Sequence, residues 1–182
     1  SDTFKKNAAI FGKVYFPRVI MPISIVISNL LKFIIQFVIF VAFYIYYFLK
    51  GATLNINEYI FLFPILILIM GFLGLGIGML ISSLVTKYRD FSYLVSFGVQ
   101  LLMYVSAVMY PIELIATKIP SYAWVVKYNP LAYVIESARF MLLDVGDIPF
   151  FGLIYTLVVT VIVFFIGLLI FNKTEKNFID TV

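Results

Sequence analysis

The chain has 182 residues, 64% of them hydrophobic and only 12% charged, with a net charge of +4 and a mean hydropathy of +1.11. Soluble domains carry roughly a quarter charged residues, so a soluble core, a disordered chain and a soluble nucleic-acid binder are excluded and an integral membrane protein remains. The lack of cysteine removes disulfide and thiolate chemistry, and the lack of histidine removes the commonest metal ligand and general base.

In residues 1–18, Phe4, Ala8, Phe11 and Tyr15 recur at helical spacing while Lys5, Lys6 and Lys13 lie elsewhere around the helix. This predicts an amphipathic helix along the cytoplasmic surface. The segment lacks the short apolar core and small-residue cleavage site of a signal peptide. Pro17 and Pro22 restrict how the chain enters the bilayer. Residues 19–49 then form a first span, interrupted by Lys32. That lysine either snorkels to an interface or turns into the protein, where it meets a lipid head group. Tyr44, Tyr46 and Tyr47 fit an interfacial aromatic belt.

Residues 59–86 are free of charge between Glu58 and Lys87 and give a second span, longer than the ~20 residues that cross the hydrocarbon as a helix. Its GFLGLGIG stretch places Gly74 and Gly78 at small-xxx-small spacing, with Gly71 adding another small position, which lets a neighbouring helix approach closely. It is not a phosphate loop, and no GxxxxGK[ST] occurs, so ATP is not bound by that route. A very short cytoplasmic loop follows, in which Arg89 and Asp90 pair or cap helix ends. Residues 91–112 give a third span and 148–172 a fourth, ahead of a cytoplasmic tail at 173–182.

Orientation follows from the basic residues. Eight Lys and Arg fall on the side of the termini and the 87–90 loop, against four on the other, with Lys32 left unassigned. The first side is assigned to the cytoplasm, with both termini on it.

Between the third and fourth spans, residues 113–147 are too apolar for an ordinary outer loop. Ser121 after Pro120 caps a short helix over 122–127, and Asn129-Pro130 is a cap residue followed by proline at the first helical position. Leu131, Val134, Ile135, Ala138 and Leu142 mark one apolar face, and Glu136 and Arg139 pair across three residues. Two short apolar helices outside a full span predict a re-entrant or gate element, since irregular backbone at membrane depth survives only when buried or lining a cavity. Tyr104, deep in the third span, joins Tyr110, Trp124 and Tyr128 as candidate path or gate residues, together with Asn129. Their rings suit the apolar faces of sugars and their polar handles suit hydroxyls.

Four stretches together resemble the membrane subunit of ABC-2-type polysaccharide exporters, which export O-antigen, capsule or teichoic-acid polymers: KVYFPRVIMPIS at 13–24, KYRDFSYLVSFGVQLLMYVSAVMYP at 87–111, YNPLAYVIESAR at 128–139 and FNKTEKNFIDTV at 171–182. They stand in family order and cover most of the chain. Ala107 departs from the pattern, which usually has proline there. The resemblance implies an all-α permease whose spans three to six are the four spans here, so that Ser1 begins a piece lacking two spans. It implies a coupling helix that meets a separate nucleotide-binding ATPase subunit through Phe4, Lys5, Asn7, Phe11 and Lys13. It also implies two permease copies as a homodimer, two ATPase copies holding ATP and Mg, and a lipid-linked polysaccharide as cargo. No cofactor is expected in this chain. Two alternatives stay open: a drug or lipid exporter of the same superfamily, and a polyprenyl-phosphate-dependent membrane transferase, which needs converging acidic residues that the sequence scatters.

Overall fold

The computed structural model describes residues 19–51, 56–88, 90–106 and 123–179. Among them every regular element is helical: α1 (Ile20–Leu49), a 3-10 turn (Glu58–Leu62) leading into α2 (Phe63–Lys87), α3 (Phe91–Val105), α4 (Ala123–Lys127), α5 (Pro130–Leu143) and α6 (Phe150–Ile179). The amphipathic helix expected at 1–18, with Phe4, Lys5, Asn7, Phe11 and Lys13, lies outside the described residues, as do Arg89 and Tyr110.

Three helices are long and apolar enough to cross a membrane: Ile20–Leu49, Glu58–Lys87 and Phe150–Thr174. At 1.5 Å per residue even the shortest exceeds the ~30 Å hydrocarbon core. The expected third span over 91–112 is described only as α3, whose 15 residues reach about 22 Å. The helix closes at Ser106, whose backbone N–H and hydroxyl both donate to Leu102 O, at 2.9 and 2.6 Å. The described residues therefore hold three full spans and one shorter helix, rather than four full spans.

The core is the pair α2 and α6. Their contacts advance together, with Leu66 and Ile69 near the level of Leu153, and Gly76 level with Phe164 and Gly167, so the two helices run parallel. The intervening chain must then return from the C-terminal end of α2 to the N-terminal end of α6, and α3 makes part of that return. Gly76 permits the close crossing: a Cβ there would lie 2.8 Å from both Phe164 Cα and Phe164 N, and one on Gly167 would lie 2.5 Å from Gly76 O. Just above, Phe72 and Phe164 meet edge to face at 5.4 Å.

Helix α5 seats its inner face on this pair, where Val134 and Met141 join Leu66 and Ile69 in one buried cluster. Its N-terminus is capped as the Asn129-Pro130 sequence predicts, Asn129 Oδ1 accepting from Leu131 N at 3.0 Å. It ends at Asp144 in the left-handed conformation, which short polar residues tolerate. Asn57 fastens that end to the entrance of α2, its Nδ2 donating to Asp144 Oδ1 at 2.7 Å and its N–H to Met141 O at 3.2 Å. The predicted Arg139–Glu136 pair forms at 3.0 Å. By contrast, neither α1 nor α3 buries a residue in the chain. Such apolar faces need no protein cover in a membrane, because lipid tails are as apolar as leucine.

Candidate functional site

The segment between α4 and α5 is irregular, and its depth can be read from its neighbours. Thr156 lies six residues inside the N-terminal end of α6, about 9 Å at helical rise. Its hydroxyl lies 3.1 Å from Pro130 O and 2.8 Å from Gly152 O and donates to this pair. The Asn129-Pro130 turn thus lies alongside α6 about a turn and a half in from that end.

At that depth each backbone carbonyl at the end of α4 needs a donor. Trp124 O accepts from Tyr128 N at 3.0 Å and Val126 O from Asn129 N at 3.1 Å. Lys127 O accepts from Tyr133 Oη at 2.6 Å, and Tyr128 O from Tyr155 Oη at 3.0 Å. The two phenol rings pack edge to face at 6.2 Å, with Tyr133 laid against Gly152, where any side chain would collide. Three hydroxyls on α5 and α6 therefore hold the turn.

The turn is also joined to α3. Asn129 Nδ2 donates to Ser106 Oγ at 3.0 Å, and both residues are buried. Asn129 is therefore a buried link between the turn and the end of α3. Tyr104, Trp124 and Tyr128 each expose more than half of their area on the surface of the chain. The sequence reading omitted Ser106, Tyr133, Tyr155 and Thr156. Their signal was available: hydroxyl side chains close to an Asn-Pro turn and one turn inside an apolar span.

A second feature is an apolar groove of about 880 Å³ between α1, α2 and α5. Phe33, Phe37, Phe40 and Phe63 line one part, and Gly71, Gly74 and Gly78 another. No atom lies within 4 Å of a Cβ built on any of these three glycines, so within the described residues they form groove wall and not a helix contact. The contact role falls on Gly76 and Gly167. Asn29 and Gln36 supply polar groups to the wall. Lys32 is exposed beside it, its Nζ 3.4 Å from Asn29 Oδ1 and about 18 Å along α1 from Ile20. Asp90 is exposed at the start of α3 and makes no side-chain cap there.

The family model described as ABC-2 type transporter matches residues 9–143, about three quarters of the chain. The chain belongs to the ABC-2 type transporter membrane family. Two curated relatives from Klebsiella pneumoniae, each named O-antigen export system permease protein RfbA, are 28% and 29% identical to it over 179 and 185 residues. Each alignment covers 98% of this chain, which spans 66% of the relatives' own length. Within this family, the apolar helices identify the chain as an integral membrane protein.

Proposed function

We propose that this chain is part of the permease of an ATP-driven exporter that moves a lipid-linked polysaccharide across the cytoplasmic membrane. The observation that carries the reading is the match, along 98% of the chain, to proteins named as O-antigen export permeases. Two copies of the permease form the path between them, since a two-fold dimer is the default symmetric assembly. ATP and Mg are held by two copies of a separate subunit, which contacts the segment containing Phe4, Lys5, Asn7, Phe11 and Lys13. Nucleotide-driven closure of that subunit displaces the spans as bodies. Tyr104, Tyr110, Trp124 and Tyr128 offer ring faces to the glycan, and the re-entrant turn gates its exit. Lys32, beside the apolar groove, meets the phosphate of the lipid carrier.

Affinity purification of the intact protein tests this assignment. It should recover a stoichiometric ATPase subunit, and changing Lys5, Lys6 and Phe11 together to alanine should sharply reduce the recovery. Purification without any ATPase overturns the exporter reading.

A further inference from the structure

We propose that Asn129 and Ser106 form a latch that makes the outer end of α3 and the α4–α5 turn move as one body, so that both are positioning residues for export. The inference rests on the exporter reading and adds the route by which motion at the cytoplasmic end reaches the exit.

Helix α3 is held by bonds at its ends. Along its 15 residues it buries no side chain against the rest of the described chain. Its inner end is tied to the end of α2, where Phe91 N donates to Tyr88 O at 3.1 Å. Its outer end is tied at Ser106, which is 3% exposed. A stiff helix tied at both ends passes axial or tilting displacement from one to the other.

The chemistry of the outer tie is specific. Asn129 uses both ends of its amide, the oxygen to cap Leu131 N and the nitrogen to donate to Ser106 Oγ. Ser106 gives its own proton to Leu102 O, which leaves its oxygen as the acceptor. A cap requires only an acceptor, and serine or aspartate serves there as well as asparagine. The donor half of the amide is needed only for Ser106. Parting the two strands an amide N–H inside the protein, which is costly, so the helix end and the turn travel together. The turn is also joined to α6 by the hydroxyls of Tyr155 and Thr156, so the outer end of α6 belongs to the same body.

The test uses the intact permease with its ATPase in proteoliposomes and measures glycan exported per ATP hydrolysed. Ser106→Ala removes the acceptor, and Asn129→Ser keeps the cap while removing the long donor. Each should lower the export-to-hydrolysis ratio about fivefold, the factor of one net hydrogen bond, with ATP hydrolysis within twofold of normal. The double variant should be no worse than either single, and Ser106→Thr, which keeps the hydroxyl, should restore the ratio. An unchanged ratio, additive losses in the double variant, or a parallel fall in both activities overturns the latch. If the unmutated protein neither exports glycan nor recruits an ATPase, the exporter reading falls. A non-additive thermal-stability cycle for the same variants would then show that the contact exists without this role.

Discussion

Gly76→Ala is the sharpest probe of the packing. The added Cβ would sit 2.8 Å from the Phe164 backbone. Carbon atoms at rest are separated by about 3.5–4.0 Å. Because the obstacle is backbone, no rotamer change relieves it, and α2 and α6 must part by roughly 1 Å, an overpacking cost of about 1–3 kcal/mol. Alanine returns about 1 kcal/mol through its better helix propensity. Gly74→Ala gains the same propensity and meets nothing within 4 Å. The difference between the two variants is then the packing cost alone. With ~2–4 °C of midpoint per kcal/mol for a chain of this size, Gly76→Ala should melt several degrees below Gly74→Ala. The measurement is thermal unfolding of the purified intact protein in one detergent. A Gly76→Ala midpoint at or above that of Gly74→Ala refutes the assignment of the close crossing.

Thr156→Val keeps the shape and removes the hydroxyl that joins α6 to the start of α5. It should cost about 1 kcal/mol, one net hydrogen bond, and a stability equal to the parent's would show that the hydroxyl holds nothing. Tyr104→Ala should lower glycan export several-fold while expression and basal ATP hydrolysis stay near normal; unchanged export would return this ring to packing or lipid contact. Lys32→Met keeps length and apolar bulk and removes the charge. It should raise the concentration of lipid-linked glycan needed for half-maximal ATPase stimulation, and an unaltered response would make Lys32 a snorkelling residue.

Much of the architecture can be read from the chain because a membrane punishes errors of composition. Charge-free runs of 28 and 25 residues had to be helices, and Asn129-Pro130 had to begin one, since a cap acceptor and a proline without an N–H satisfy the same helix end. The Glu136–Arg139 pair followed from spacing alone. The glycines show where such reading stops. GFLGLGIG displays Gly71, Gly74 and Gly78 along one stripe and Gly76 on another, and periodicity identifies a stripe without saying which neighbour covers it. That choice depended on α6, some 90 residues away, where Gly167 answers Gly76. The third expected span, 91–112, is described only as far as Ser106, and the polar link from there to Asn129 joins residues 23 apart, which leaves no local trace in the sequence. The hydroxyls of Tyr133, Tyr155 and Thr156 looked like ordinary span residues until the carbonyls they satisfy came into view.

The central claim is that the chain serves ATP-driven movement of a lipid-linked glycan. Its most direct test is translocation by the intact permease and its ATPase in sealed vesicles, with labelled glycan lipid supplied on the ATPase side and accessibility followed on the far side. The account predicts transfer that requires hydrolysable ATP and stops when the ATPase is inactivated. Transfer at the same rate without ATP, or ATP hydrolysis that moves no glycan while moving a small amphiphilic drug or lipid, contradicts it.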